Sequence, residues 1–164
     1  MRNPVERVIS HYFFNKNMPH NPIRIAPVTG TLTEWIDLFP AVNNLMTKQL
    51  SGISADADQG WWNGIATIQQ FELAKSNLRQ FAFVGIFEHL DHTLELASKW
   101  LGLQSGAGHK FPHLHQGQRK EPVDRSVRIQ IENLNWMDME LYRIGLAMFL
   151  KVAERNVSVA VGLS

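Results

Sequence analysis

The spacing of apolar residues along the chain is mostly that of amphipathic helices. In the first fourteen residues the apolar positions recur every three or four residues, as one buried helix face requires (Val5, Val8, Ile9, Tyr12 and Phe13). Similar spacing is found in five later stretches, at 31–39, 63–80, 88–101, 127–134 and 135–152. We therefore predict that most of the chain is α-helical.

Residues 81–86 depart from this helical spacing. The segment Phe81-Ala82-Phe83-Val84-Gly85-Ile86 is short, aromatic, β-branched and almost entirely apolar. Such a run is typical of a strand buried on both faces, as in a parallel sheet covered by helices. We therefore expect one clear buried strand at about 81–86 in a chain that is otherwise mostly helical.

Local sequence indicates where several helices begin. Asn3 suits the N-cap position, Pro4 fits the first helical position, and Glu6 stands where a capping-box carboxylate reaches back. Similar reasoning places helix starts at two later pairs, Thr31 with Glu34 and Asn135 with Asp138. Gly102 is the expected stop of the helix that follows the strand.

Two polar side chains at the first helix predict an anion site. Arg2 precedes the helix, and Ser10 lies about two turns into it. Both could face the N-terminal end of the helix, where backbone N–H groups and the helix dipole favour an anion. Arg2 and Ser10 are therefore the candidate ligand-binding residues.

Length and composition set limits on the function. The 164 residues suit a single domain, 1–164, with its own core, and the net charge of +1 predicts neither nucleic-acid nor anionic-membrane binding. There is no cysteine, which excludes disulfides and thiolate metal sites and favours a cytosolic location. No apolar run is long enough for a transmembrane helix, and the first residues do not have the pattern of a signal peptide.

Two loop regions carry further candidate chemistry. Three histidines, His109, His113 and His115, could hold a metal, but neither a carboxylate nor a cysteine completes the set, so no metal site is predicted. Basic residues of the same loop, Lys110, Arg119 and Lys120, are better candidates for contact with an anionic ligand. The pair Trp61-Trp62 could stack on a sugar ring, although packing against helices explains it more simply.

The opening segment resembles the 3′-phosphate-binding segment of sulfotransferases that use 3′-phosphoadenosine 5′-phosphosulfate (PAPS). In that family Arg-Asp-Pro precedes a serine, and the arginine and serine hold the 3′-phosphate. Arg2-Asn3-Pro4, followed by Arg7 and Ser10, is similar to the carbohydrate and heparan-sulfate branch, with asparagine replacing aspartate. The resemblance implies a P-loop-like α/β fold and a nucleotide site formed by Arg2 and Ser10.

Three further segments resemble the same family. They are Asn43–Gly52, Phe83–Glu88 within a helix–strand–helix block, and the Asn135–Tyr142 motif. Glu88 matches a glutamate of the family, and it either organises the active site or serves only as a carboxylate at a helix N-terminus.

The resemblance implies transfer of a sulfuryl group from PAPS to a hydroxyl of a carbohydrate or similar acceptor. That reaction needs a loop of backbone N–H groups with a cation around the phosphosulfate, and a base for the acceptor. No Gly-rich loop with lysine follows a strand in this sequence, and no catalytic residue is identified. The expectation is the C-terminal portion of a sulfotransferase, inactive alone. A non-catalytic helical interaction module and a His-loop metal binder are the alternatives.

Overall fold

A computed structural model describes residues 1–17, 28, 30–39, 42–53, 64–102 and 122–161, with side chains up to residue 155. These residues form seven α-helices and one 3-10 turn, Phe87–His89. The helices are α1 (Pro4–Asn17), α2 (Leu32–Leu38), α3 (Leu45–Ser51), α4 (Ile68–Leu78), α5 (Leu90–Trp100), α6 (Arg125–Leu134) and α7 (Trp136–Val161).

Several helix boundaries follow the local sequence. Helix α2 begins with the predicted capping box, in which Thr31 and Glu34 bond to each other's backbone N–H. Helix α4 begins in the same way at Thr67. Gly102 follows α5 with a φ of 65°, a left-handed conformation that glycine adopts without strain, so the predicted stop is confirmed.

Two apolar clusters hold the helices together. The first joins α4, α7 and the segment before the 3-10 turn, and its fully buried members include Ala74, Ile86 and Leu141. The second joins α1, α2 and α6 through Val8, Trp35 and Ile131 among others. Burial of such aliphatic and aromatic side chains contributes about 1.5–3 kcal/mol each, so these clusters provide most of the stability.

The predicted α/β fold with a buried strand at 81–86 is wrong. No strand or sheet occurs in the described residues, and 81–86 is irregular. Its backbone has no neighbouring strand: the Met1 amino group donates to Gly85 O, and Phe87 N donates to Met1 O. A ladder needs a run of such pairs, and here the pairing extends over one residue only. Val84 and Ile86 are buried as expected, because the apolar run predicted burial correctly but not a strand partner.

Candidate functional site

The two predicted anion-binding residues lie on either side of the start of α1, Arg2 before the helix and Ser10 within it. Arg2 precedes α1, and its guanidinium carbon is 4.8 Å from the centre of the Phe87 ring, a cation–π contact. Ser10 is half-buried within α1. With the usual rise per residue, Ser10 is about 10 Å along the axis from Asn3. Within the described ranges no hydrogen bond joins Arg2 to Ser10.

Asn3 caps α1 as predicted. Its side-chain oxygen accepts hydrogen bonds from Val5 N at 3.0 Å and Glu6 N at 3.3 Å. The carboxylate that reaches back to Asn3 N belongs to Glu88, at 2.8 Å, rather than to Glu6. Glu6 instead bonds to Arg128 at 2.8 Å. The first turn of α1 is thus closed by a glutamate from a segment that lies 85 residues away.

Glu88 also ties α7 to the start of α1. Its second carboxylate oxygen accepts a hydrogen bond from the Tyr142 hydroxyl at 3.1 Å. Partial burial, and then the charge and hydrogen bond of Glu88, raise the pKa of Tyr142 to about 12. Tyr142 therefore remains a hydrogen-bond donor at neutral pH. Glu88 thus connects the opening segment and the Asn135–Tyr142 motif to its own segment, Phe83–Glu88.

A second group of polar residues is buried between α1, α3, α6 and α7. We call it the buried polar cluster: Arg7, Asn43, Asn44, Thr47, Asn135 and Asp138. The side chains of Asn135 and Asp138 are fully buried, and each makes several hydrogen bonds. Buried polar groups cost free energy unless they are bonded, so this set must be formed as a unit.

Asp138 is the acceptor at the centre of this cluster. Its carboxylate accepts from Met46 N at 2.9 Å, from Thr47 N at 2.7 Å and from the Thr47 hydroxyl at 2.8 Å. It also lies 3.7 Å from Arg7. These N–H groups belong to the first turn of α3, so an aspartate on α7 supplies the cap that α3 lacks locally.

Asn135 does not cap α7 with its side chain, contrary to the prediction. Its oxygen accepts from Arg7 at 3.1 Å and from Asn44 N at 2.9 Å. Its amide nitrogen donates to Asn43 and to Ile131 O. The cap at the start of α7 is provided by Asn44, whose side-chain oxygen accepts from Asp138 N at 3.2 Å. The local pattern could not reveal this exchange, because Asn44 and Asp138 are 94 residues apart.

Arg7 links the opening segment to the cluster. One guanidinium nitrogen donates to Val42 O at 2.9 Å and to Asn135. Burial lowers the pKa of Arg7, while Asp138 opposes this shift. Its other two guanidinium nitrogens are buried without a hydrogen-bond partner among the described residues. The sequence placed Arg7 in the motif but gave no indication of its role.

Lys48 lies beside the cluster and is buried. Its ammonium donates to Gly64 O at 3.0 Å. Burial lowers the pKa of Lys48 to about 8, with Asp138 opposing the shift and Arg7 adding to it.

The half-buried His11 is edge-on to Trp35, with ring centres 5.4 Å apart, and burial lowers its pKa to about 4.

The remaining candidates are a cleft and several residues outside the described ranges. The cleft of about 800 Å³ lies beside α4 and α7, and its lining includes Asn3, Lys75, Trp136, Tyr142 and Arg143. The described residues contain no group of three potential metal ligands. No helix among them has the length and apolar character needed to cross a membrane. Other predicted contacts lie outside the described residues: Trp61, Trp62, His109, Lys110, His113, His115, Arg119 and Lys120.

Comparisons with known proteins give no relative. No family model matches the chain, and neither a curated protein nor a solved structure is significantly similar to it.

Proposed function

We propose that this chain is related to the PAPS-dependent sulfotransferases of carbohydrate type and binds a 3′-phosphorylated adenosine nucleotide at the start of α1. Arg2 would hold the 3′-phosphate, and Ser10 would contribute from the same helix. The reaction proposed for the intact form is transfer of a sulfuryl group from PAPS to a hydroxyl of a carbohydrate or similar acceptor. A cytosolic location, favoured by the absence of cysteine, is part of this proposal.

One observation carries the proposal: the four segments that resemble the family bond to one another. Glu88 bonds to Asn3 and Tyr142. Arg7 bonds to Asn135, and Asp138 bonds to Thr47. The bonded residues are up to 128 positions apart in the sequence. These bonds between the four segments support the proposal that the segments were inherited together from a sulfotransferase ancestor.

The start of α1 also has features that suit an anion. Arg2 is held against Phe87, so its guanidinium is oriented before a ligand arrives. The dipole of a 14-residue helix adds positive potential at this end. Arginine can bind a phosphate through two parallel hydrogen bonds, which lysine cannot reproduce. Arg2 is therefore the residue on which nucleotide selectivity should depend.

A non-catalytic helical interaction module is the second candidate. Its support is that Asn3 and Glu88 already satisfy the first N–H groups of α1, as in a helix start with a purely structural role. The two candidates differ in a measurable way, because only the first requires recognition of a 3′-phosphate.

Calorimetric titration with three nucleotides tests the proposal. Adenosine 3′,5′-bisphosphate should bind more tightly than 5′-AMP and than ADP, which also carries two phosphate groups but none at the 3′ position. Arg2→Ala should abolish the preference, and Arg2→Lys should restore little of it. Arg125→Ala, which removes the positive charge of an exposed residue on α6, is the matched control and should leave the preference intact. Equal affinity of the wild-type chain for all three nucleotides would refute the proposal.

Catalysis is expected to be absent from the 164 residues alone. The sequence contains no Gly-rich loop with a lysine to hold the phosphosulfate. Incubation with PAPS and a glycan acceptor should therefore give no sulfated product. Turnover above the background would show that another part of the chain performs this role.

A further inference from the structure

The cleft of about 800 Å³ beside α4 and α7 has an aromatic floor. Trp136, the first residue of α7, is 47% exposed, and the buried Phe71 packs at a steep angle against it with ring centres 5.1 Å apart. The Lys75 ammonium lies 4.6 Å from the centre of the Phe71 ring, so Phe71 is itself held in place. A tryptophan supported in this way presents a fixed apolar surface, and a ligand that packs on it orders few side chains.

The charged residues around this floor nearly cancel. Lys75 forms an ion pair with Glu72 at 2.8 Å, and Arg143 forms one with Glu140 at 2.7 Å. Glu132 also lines the cleft, is exposed, and has no hydrogen bond or ion pair with any other residue that the structure describes. An anion in the cleft would therefore meet cations that are already paired and a carboxylate that is not, which disfavours its binding.

The uncharged chemistry of the cleft suits hydroxyl groups. The carboxylate of Glu132 is an acceptor, and the side-chain amide of Asn133 is both a donor and an acceptor. Both side chains are exposed beside Trp136. A pyranose ring has a face of C–H bonds, which an indole ring attracts through its negative π face, and a rim of hydroxyls that donate and accept. The volume of the cleft lies in the range of small-ligand sites and is sufficient for a disaccharide.

We propose that this cleft binds an uncharged sugar, with a pyranose ring stacked on Trp136 and its hydroxyls bonded to Glu132 and Asn133. The site rests on the proposed function for one point only, namely that this sugar is the acceptor of the sulfuryl group. It narrows that function, because Glu132 disfavours sugars that carry a carboxylate or a sulfate. The contacts that form the cleft involve neither Arg2 nor Ser10.

Matched pairs of sugars test the charge selectivity. The methyl β-glycosides of glucose and galactose are each compared with the corresponding uronic acid, which differs only by a carboxylate at C6. The indole N–H resonance of Trp136 should shift with at least one neutral glycoside, and that glycoside should bind about two- to fivefold more tightly than its uronic acid at low ionic strength. Glu132→Gln, which keeps an acceptor oxygen without the charge, should remove most of this difference. Equal affinities within both pairs for the wild-type chain would overturn the proposal.

Tryptophan variants test the stacking. By saturation-transfer NMR on the sugar protons, Trp136→Ala should weaken binding about five- to tenfold. Trp136→Phe, which keeps an aromatic ring against Phe71, should retain part of the affinity, so a loss caused by misfolding can be recognised. Trp100→Ala is the matched control, because Trp100 is also exposed but does not line the cleft, and it should leave the affinity unchanged. Equal losses in Trp136→Ala and Trp100→Ala would overturn the assignment of Trp136.

These outcomes separate the sugar site from the proposed function. Sugar binding at Trp136 without a preference for the 3′-phosphate overturns the proposed function and leaves the sugar site standing. A preference for the 3′-phosphate, with no shift of the Trp136 resonance at about 50 mM of any of these sugars, overturns the sugar site alone. A Trp136 resonance that moves with protein concentration and not with sugar would show that a second copy of the chain covers the cleft, and would also overturn the sugar site.

Discussion

Asn44 and Asp138 cap each other's helices. The Asp138 carboxylate accepts the Met46 and Thr47 N–H groups at the start of α3, and the Asn44 side chain accepts Asp138 N at the start of α7. Neither residue caps its own helix through its side chain: Asn44 makes no such bond in α3. Each helix start therefore depends on the other.

Removal of the Asp138 carboxylate should be strongly destabilising. Asp138→Ala leaves two N–H groups, the Thr47 hydroxyl and the Arg7 charge without their acceptor. We expect a loss of about 3–5 kcal/mol in the free energy of unfolding, measured by urea denaturation. Glu140→Ala, two positions further along α7 with its carboxylate bonded to the exposed Arg143, should cost less than about 1 kcal/mol. Similar losses in the two variants would contradict the central role of Asp138.

The conformation of Asn44 allows a second test. Its φ is 48° and its ψ is 41°, in the left-handed region that favours asparagine and glycine. Asn44→Ala and Asn44→Gly both lose the α7 cap and the hydrogen bond to Leu134 O, but only alanine adds backbone strain. The alanine variant should therefore have a free energy of unfolding about 1 kcal/mol lower than the glycine variant, measured by chemical denaturation. At an ordinary helix position the order would be reversed.

Stability should decrease in acid because of His11. Burial lowers the pKa of His11 to about 4 from an ordinary value of 6.5, so the unfolded chain binds this proton first. The contribution of neutral His11 to the free energy of unfolding is fully present above pH 6.5 and is lost as the pH falls towards 4. His11→Phe should remove this dependence, which is on the order of 2 kcal/mol. Parallel stability curves for the two proteins between pH 7 and 4 would disprove the assignment.

Lys48 should make the free energy of unfolding depend on pH at the alkaline end of the range. Its folded pKa of about 8 lies below the ordinary 10.5, so between these values the unfolded chain carries more protons. The free energy of unfolding should therefore rise from pH 8 to 10.5, by on the order of 1–3 kcal/mol. The raised pKa of Tyr142 lowers the free energy of unfolding only above pH 10, where the unfolded chain loses this proton first. Lys48→Met should flatten the rise between pH 8 and 10, and hydrogen exchange or urea denaturation would measure it.

Periodicity predicted the helices well but could not predict what joins them. The apolar stripe of α1 and the Thr31–Glu34 capping box were evident from neighbouring residues, and both occur in the structure. The run at 81–86 predicts burial correctly, but an apolar segment does not specify a backbone partner, so the predicted strand is wrong. The predicted cap by Asn135 is wrong for a similar reason, because its side chain bonds to Arg7 and Asn44, which are distant in the sequence.

The exchange of caps between Asn44 and Asp138 has a consequence for synthesis on the ribosome. Helix α3 has seven residues, too few to be stable alone in water. Its first turn has no acceptor until residue 138 has left the exit tunnel, because the carboxylate belongs to α7. Helix α3 is consequently expected to form late in folding, through contacts of large sequence separation.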